Sequence, residues 1–334
     1  MKILAGDIGG TKTWLRIADC DGDHFRILSE KRFSSQDYAD FTDLLRNFLA
    51  DVKRNMGIKL DAACLAIAGP VEAHGTGQQA IVTNLPWSLE SDALAETIGC
   101  EKIELVNDFT AVALSIDALP ETELMPIQAG IARPLGPRII LGAGTGLGVC
   151  QICRTNDNHA LILPSEGGHI DFAPTDKEQL RLLEFMLETH EHVSYEHILS
   201  GPGLVNIYSF LRSTAHLGSN STAPDPLTTE DPAATISNSG RQGTDPVARR
   251  AVDIFVKVYG AQAGNLALLN LAFGGVYIAG GIATHISQEL TGDTFLKAFH
   301  KKGRMTALMS QFPVHIIMNA QAGLIGAMLK ASQI

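Results

Sequence analysis

Two stretches of the sequence share one pattern: a short apolar strand, a glycine-rich turn and a second strand. The first covers residues 3–18 and contains Gly6-Asp-Ile-Gly-Gly-Thr11. The second covers residues 138–153 and contains Gly142-Ala-Gly-Thr-Gly-Leu-Gly148. A strand–turn–strand unit that occurs twice and leads into helices each time favours a duplicated α/β fold. We therefore predict two copies of one α/β unit, forming two lobes around a cleft.

Hydrophobic periodicity places the other elements around these two units. Helical spacing of apolar residues occurs at 41–56, 90–98, 246–271 and 320–330, and another helix begins at residues 107–108. Runs typical of strands occur at 24–32, 62–68, 103–106 and 274–283. The predicted order in the first half is therefore β-β-β-α-β-α-β-α. Residues 213–245 are poor in apolar side chains and rich in Ser, Thr, Asn, Pro and Gly, which predicts a loop.

Composition narrows the class of protein. A length of 334 residues suggests about two domains. The formal net charge is −10 and the longest basic cluster is Lys301-Lys302, which argues against a nucleic-acid partner. The most apolar stretch, residues 266–283, is broken by glycines, so we expect no membrane span and a cytoplasmic protein. Cys150 and Cys153 have C-x-x-C spacing within a predicted strand, and we interpret them as buried thiols.

Glycine-rich turns bind phosphates because backbone N–H groups come close to the anion. A P-loop is excluded here, since residues 10–12 are Gly-Thr-Lys and a strand follows them. The dinucleotide motif is excluded because Leu147 stands where its third glycine would be. What remains is a pair of turns, carrying Thr11 and Thr145, that would hold one triphosphate, with Asp7 placed to orient a metal-bound water. The alternative is two tight hairpins that bind no ligand.

Five motifs occur in order along nearly the whole chain. They are Gly6-Asp-Ile-Gly-Gly-Thr11, Val106-Asn-Asp-Phe-Thr-Ala-Val-Ala113, Leu141-Gly-Ala-Gly-Thr-Gly-Leu-Gly148, Val276-Tyr-Ile-Ala-Gly-Gly-Ile-Ala283 and Gly323-Leu-Ile-Gly-Ala-Met-Leu329. In this order they resemble the bacterial glucokinase family, in the hexokinase branch of the actin-like ATPase superfamily. The first and third are similar to the family's phosphate motifs, the fourth to its adenosine motif, and the others to its two connecting helices. The cysteine-rich zinc motif of the related ROK sugar kinases is absent, which favours the glucokinase group proper.

The resemblance implies an actin-like, ribonuclease H-like ATPase fold and ATP-dependent phosphorylation of glucose at its 6-hydroxyl, feeding glycolysis, with ATP and Mg²⁺ as cofactors. It implies that Asp108 is the catalytic base and that Asp7 holds the metal through water. Asp108 and Asn107 stand just before a helix, so helix capping is a second interpretation, compatible with the first. The implied ATP-binding residues are Gly6, Asp7, Ile8, Gly9, Gly10, Thr11, Gly144, Thr145, Gly280 and Gly281.

Glu166-Gly-Gly-His169 has the spacing of half a metal site, but its two glycines argue against a helix. Carboxylates and amides can satisfy the hydroxyls of a sugar, and the resemblance assigns this segment to the glucose site. Without the resemblance, Glu196 is interpreted as a solvated helix residue, and His190 and His192 as surface histidines. The implied glucose ligands are Asn107, Asp108, Glu166, His169 and Glu196, with Asn84 as a further candidate near the sugar.

The predicted lobes are a small one, residues 1–112 with 318–334, and a large one, residues 113–317, with the polar loop at about 213–245. We expect a homodimer, and we expect Trp87, close to Asn84 in sequence, to lie near the mouth of the cleft.

Three other functions are the alternatives. A kinase of mannose, fructose or an N-acylated sugar would use the same fold. A sugar-responsive regulator would carry a DNA-binding segment, for which the residues before the first phosphate motif leave no room. An ATPase that binds protein partners would lack the Asn-Asp and Glu-x-x-His sets.

Overall fold

The computed structural model describes residues 1–22, 24–155, 157, 160–214 and 225–334. They form two compact units. Unit 1 consists of Met1–Pro120 with Asn319–Ile334, and unit 2 of Glu121–Met318. The predicted boundary after residue 112 falls inside a helix, Asp108–Ser115, that belongs to unit 1 as a whole.

The described residues form strands and α-helices with the following bounds. The strands are β1 (Lys2–Ile8), β2 (Lys12–Asp21), β3 (His24–Ser34), β4 (Ala62–Ile67), β5 (Val71–His74), β6 (Gly77–Ile81), β7 (Ser88–Glu90), β8 (Ile103–Asn107), β9 (Leu124–Gln128), β10 (Arg138–Ala143), β11 (Leu147–Arg154), β12 (Ala160–Ser165), β13 (Gly275–Ala279) and β14 (Val314–Ile317). The helices are α1 (Phe41–Met56), α2 (Ser91–Ile98), α3 (Asp108–Ser115), α4 (Lys177–Leu187), α5 (Gly201–Thr214), α6 (Pro232–Gln242), α7 (Pro246–Asn270), α8 (Gly281–His285), α9 (Ser287–Leu290), α10 (Asp293–His300), α11 (Thr306–Met309) and α12 (Ala322–Ala331).

The main sheets of the two units have the same strand order. In unit 1 the order is β3-β2-β1-β4-β8, with β1 antiparallel to β2 and parallel to β4. In unit 2 it is β12-β11-β10-β13-β14-β9, with β10 antiparallel to β11 and parallel to β13. The order of the first five strands is therefore repeated, and the predicted duplicated α/β fold is confirmed.

Both faces of each main sheet are covered, because helices follow the parallel strands. In unit 1, α1 and α2 pack on one face through residues such as Leu44 and Phe48, while α3 and α12 contribute Ala111 and Leu324 to a second core. The α3–α12 contact depends on Gly326, since a Cβ there would lie 1.7 Å from the Ala111 carbonyl oxygen. In unit 2 the 25-residue helix α7 lies in the core.

Part of the predicted polar loop is helical, so that prediction is wrong for residues 232–242. Asp231 caps α6 by accepting a hydrogen bond from the Ala234 amide, and Pro232 occupies its first turn. A capping aspartate followed by proline is a strong helix start, and it outweighs the low hydrophobicity of the segment. Residues 215–224 of the predicted loop lie outside the described residues.

Two features of the fold differ from what the sequence predicted. The strand predicted at 274–283 ends at Ala279, and α8 begins two residues later. The antiparallel sheet β5-β6-β7 was not predicted, because its strands are too short for a clear alternation. Trp87 is only 1% exposed and donates its indole N–H to the Ala39 carbonyl oxygen at 3.1 Å, so it belongs to the core of unit 1.

The described residues contain no helix both long and apolar enough to span a membrane. The five cysteines, all of which lie among the described residues, form no disulfide; Cys150 is buried, as predicted, whereas Cys153 is half-buried.

Candidate active site

In unit 1 the candidate residues lie at one edge of the main sheet. Ile8 is paired with Ile67, and Ile67 with Asn107, so β1, β4 and β8 end side by side. The carboxyl ends of parallel strands meet at one edge, where α/β proteins bind ligands. This pairing brings Asp7 and Asp108 to the same edge, although a hundred residues of sequence separate them.

Asn107 and Asp108 are fixed by the start of α3. The Asn107 Oδ1 accepts hydrogen bonds from the amides of Phe109 (2.9 Å) and Thr110 (3.3 Å), and its Nδ2 donates to the Gly69 carbonyl oxygen at 3.1 Å. The Asp108 Oδ1 also accepts from the Phe109 amide, at 2.9 Å. The capping interpretation is confirmed for Asn107, and the cap holds the Asp108 carboxylate in one position.

Both carboxyl groups at this edge are more basic than usual. Burial raises the pKa of Asp7 from 3.8 to about 6. Burial raises the pKa of Asp108 to about 7, and the negative charge of Asp7 adds to the effect, while hydrogen bonds from the start of α3 oppose it. A carboxyl group with a pKa near neutrality can accept a proton from a reacting hydroxyl more readily than an ordinary aspartate can.

The first glycine turn joins β1 to β2 at this edge. Its Gly9 amide donates to the Lys12 carbonyl oxygen at 3.0 Å. Gly10 lies against the segment before Trp87, since a Cβ on it would be 2.9 Å from the Thr83 carbonyl oxygen and 3.6 Å from the Asn84 Cβ. Asn84 is exposed and has a φ of 64°. The structure therefore places Asn84 beside the glycine turn.

The groups around Asp7 fit a magnesium ion held chiefly by phosphate oxygens and water. Among the described residues, no cation forms an ion pair with Asp7, and no three His, Cys, Asp or Glu residues form a metal-binding group. Helix α12 comes close to this carboxylate, since a Cβ on Gly323 would lie 3.2 Å from its Oδ2. Mg²⁺ typically takes one or two carboxylates together with substrate phosphates, rather than an all-protein cage.

In unit 2 the second glycine turn joins β10 to β11. The Gly144 amide donates to the Gly146 carbonyl oxygen, and the Gly201 amide donates to the Gly144 carbonyl oxygen, both at 2.8 Å. Thr145, at the tip, is exposed. Gly280 lies against the end of β10: its φ is 91°, and a Cβ would be 2.6 Å from the Ala143 carbonyl oxygen. Both features require glycine at this position.

The three implied glucose ligands of unit 2 lie together. The His169 Nε2 is 3.8 Å from the Glu166 Oε2, and its Nδ1 is 3.9 Å from the Glu196 Oε1. Their side chains are exposed to different extents, 74% for Glu166, 59% for His169 and 31% for Glu196. The alternative interpretation of Glu196 as a solvated helix residue is wrong, because it precedes α5 and its carboxylate accepts a hydrogen bond from the Leu147 amide at 2.8 Å.

Sequence reasoning missed a turn that fixes Glu196. The Ser194 amide donates to the His197 Nδ1 at 3.1 Å, which closes a turn with Glu196 inside it. The Ser-x-x-His spacing is a signal that could have revealed this turn. His192 is exposed and pairs with Asp171, and the ring of half-buried His190 packs against that of His197 with centroids 4.6 Å apart.

The chain resembles known glucokinases over its full length. A family model described as Glucokinase matches residues 4–334. A glucokinase of Nostoc sp. is 41% identical over 347 aligned positions, which cover 99% of each chain. The crystal structure of a glucokinase from an Antarctic psychrotroph aligns with a TM-score of 0.82 and 31% identity, covering 100% of this chain and 99% of that one.

A more distant structure shares the fold alone. It is a ROK family glucokinase from Streptomyces griseus, solved in complex with glucose and AMPPNP, with a TM-score of 0.67, 22% identity and complete coverage of both chains. The predicted actin-like ATPase fold is therefore confirmed. Because the family model and a relative well above 30% identity both span nearly the whole chain, the chain belongs to the glucokinase family, the kinases that phosphorylate glucose.

Proposed function

We propose that this glucokinase transfers the γ-phosphoryl group of ATP to the 6-hydroxyl of glucose, with Mg²⁺ bound to the nucleotide. The observation that carries the proposal is Asp108, a carboxylate held by the start of α3 whose pKa is raised to about 7. Asp108 accepts the proton of the 6-hydroxyl as the new oxygen–phosphorus bond forms. General-base assistance of this kind contributes about 10²–10⁴ to a rate.

The nucleotide is bound by the two glycine turns. Residues Gly6 to Thr11 of the first turn and Gly144 and Thr145 of the second turn lie against the phosphates, and the Gly280-Gly281 segment takes the adenosine. When Mg²⁺ is bound it neutralises charge on the phosphates, and Asp7 holds it through water. ATP as the donor is supported by the S. griseus relative, which was solved with the ATP analogue AMPPNP.

The proposed glucose ligands are two sets of hydrogen-bonding side chains. Unit 2 contributes His169 together with Glu166 and Glu196, each of which lies within ion-pair distance of His169. Unit 1 contributes Asn107 and Asp108, with Asn84 as the candidate beside the glycine turn. Carboxylates accept hydrogen bonds from two hydroxyls at once, and this favours a ring that presents several hydroxyls.

A coupled kinase assay with a panel of sugars tests the proposal. With ATP and Mg²⁺, kcat/KM is expected to be largest for glucose, and the product is glucose 6-phosphate. A larger kcat/KM for mannose, fructose or an N-acylated sugar would assign a different hexose. Turnover that is independent of any sugar would contradict the proposal.

The predicted homodimer stays a prediction, and light scattering at several protein concentrations tests it.

A further inference from the structure

The Glu196 carboxylate contacts two parts of unit 2 that serve different substrates. One oxygen, Oε2, accepts a hydrogen bond from the Leu147 amide, the residue at which the second glycine turn enters β11. The other oxygen, Oε1, lies 3.9 Å from the His169 Nδ1 in the proposed glucose site. A single carboxylate therefore connects the phosphate turn with the sugar-binding loop.

The backbone around Glu196 strengthens this connection. The Glu196 amide donates to the Gly168 carbonyl oxygen at 2.9 Å, next to His169. On the phosphate side, the Gly201 amide donates to the Gly144 carbonyl oxygen at 2.8 Å. Gly168 also packs against the turn, since a Cβ on it would be 2.0 Å from the Leu147 carbonyl oxygen. The segment from Glu196 to Gly201 is therefore anchored to both loops.

Gly146 has no space for a side chain, because of Glu196. A Cβ at this position would lie 2.4 Å from the Glu196 Oε2 and 3.2 Å from its Cδ. By contrast, no atom lies within 4 Å of a Cβ added to Gly144 in the same turn. Neither glycine has a positive φ, so the difference between them arises from space alone.

We propose that Glu196 couples the second phosphate turn to the glucose site, and that Gly146 is a positioning residue for glucose, acting through the Glu196 carboxylate. This inference rests on the proposed function. A change in the phosphate turn moves the Leu147 amide or Gly146, which moves the carboxylate that binds the sugar. Binding of the nucleotide to this turn then changes the affinity for glucose. By thermodynamic linkage, binding of glucose changes the affinity for the nucleotide by the same factor.

The first test is the glucose affinity of Gly146→Ala and Gly144→Ala, measured by calorimetry without nucleotide. Gly146→Ala is expected to weaken glucose binding about 10-fold, because the added methyl group displaces the Glu196 carboxylate. Gly144→Ala is expected to stay within about twofold of the unsubstituted protein. Circular dichroism and thermal unfolding identify any variant that fails to fold, and Gly146→Ser at the same position provides a second measurement. Equal glucose affinities in properly folded Gly146→Ala and Gly144→Ala would overturn the proposal.

The second test measures coupling directly, as the ratio of the Kd values of Mg²⁺–AMPPNP without and with saturating glucose. In the unsubstituted protein this ratio is expected to differ from one by at least about fivefold. Glu196→Ala is expected to bring the ratio close to one. Glu166→Ala is the matched control, since it removes a sugar-site carboxylate that has no hydrogen bond to the phosphate turn, and it is expected to keep the ratio once glucose is saturating. An unchanged ratio in Glu196→Ala would overturn the coupling.

These tests separate the coupling from the proposed function. If the unsubstituted protein binds no glucose, the proposed function fails, and the inference fails with it. If the unsubstituted protein binds and phosphorylates glucose but the variants show no difference, the coupling alone fails.

Discussion

The candidate carboxylates of unit 1, Asp7 and Asp108, lie in a different environment from Glu166 of unit 2. Asp7 and Asp108 are partly buried at the edge of a sheet, and burial raises their pKa values to about 6 and about 7. Glu166 in unit 2 is 74% exposed, and it and Glu196 lie within ion-pair distance of His169. Burial makes a carboxylate a better proton acceptor, whereas exposure leaves it free to exchange water for sugar hydroxyls. Under the proposed function, the buried Asp108 of unit 1 accepts the proton, whereas the exposed Glu166 of unit 2 binds sugar hydroxyls.

The largest expected effect is on turnover in Asp108→Asn. Asparagine keeps the size of the side chain and an acceptor for the Phe109 amide, but it cannot take the proton of the 6-hydroxyl. We expect kcat to fall by about 10² or more, with a modest change in glucose affinity. Steady-state kinetics with ATP and glucose measure this. A kcat close to that of the unsubstituted enzyme would remove Asp108 from the role of base.

The second effect is on glucose binding in Glu166→Ala. Loss of this carboxylate leaves a sugar hydroxyl without an acceptor, which costs about 1–3 kcal/mol. The KM for glucose is expected to rise, while the KM for ATP changes little, because Glu166 belongs to the sugar-binding set. Initial rates with each substrate varied in turn measure both constants. An increase confined to the ATP KM would place Glu166 in the nucleotide site and contradict the comparison of the two units.

The third effect is on the stability of Asp108→Asn. We expect this substitution to stabilise the fold although it lowers the activity. The raised pKa of Asp108 means that the folded protein binds more protons than the unfolded chain between pH 3.8 and about pH 7. Stability therefore falls as the pH rises through that window. Asp108→Asn removes this effect, so at pH 8 we expect it to be more stable than the unsubstituted protein by on the order of 2 kcal/mol.

Urea denaturation in EDTA at pH 4 and pH 8 checks this third prediction. The difference between Asp108→Asn and the unsubstituted protein is expected to shrink toward pH 4. Asp293→Asn is the control of opposite sign, because a hydrogen bond from Lys297 lowers the pKa of exposed Asp293. A destabilised Asp108→Asn at pH 8 would mean that burial does not govern this carboxyl group.

The smallest expected effect concerns the turn around Glu196. Burial and the nearby His190 lower the pKa of His197 below 6.5; His192 and His169 act in the same direction, and Glu196 opposes them. The folded protein therefore keeps His197 neutral, and the stability this provides is lost as the pH falls below 6.5. Protonation of Nδ1 would also end its hydrogen bond with the Ser194 amide.

We therefore expect glucose affinity to weaken as the pH falls below 6.5, by about two- to fivefold, and expect part of that dependence to disappear in His197→Gln. Calorimetric titrations between pH 5 and 8 measure it, with His74→Gln, an exposed histidine of unit 1, as the control. The dependence that remains in His197→Gln comes from other groups of the protein. Identical pH profiles in His197→Gln and the unsubstituted protein would exclude His197.

Local signals predicted the strands on either side of the two glycine turns and the helices α1, α2, α3, α7 and α12, and they failed where a signal was short or where capping outweighed composition. The spacing of apolar residues predicted α1 with the bounds that the structure has, Phe41–Met56. In contrast, α6 was predicted as loop because its hydrophobicity is low, although Asp231 and Pro232 start a helix. Trp87 was expected near the mouth of the cleft from its neighbours in sequence; the structure adds that its ring is buried in the core of unit 1, which only the packing of the chain determines.

The sequence by itself determined the duplicated fold, the two glycine turns and the candidate residues. Each of these can be recognised from the spacing of neighbouring residues or from motifs that occur in a known order. The tertiary structure decided which of these residues meet. The register of β1, β4 and β8 brings Asp7 near Asp108. Burial raises the pKa of both carboxyl groups, and the negative charge of Asp7 adds to the rise at Asp108. The hydrogen bond from the Leu147 amide to Glu196 has no counterpart in sequence, since every residue except proline has a backbone N–H. Only folding selects which amide a carboxylate reaches.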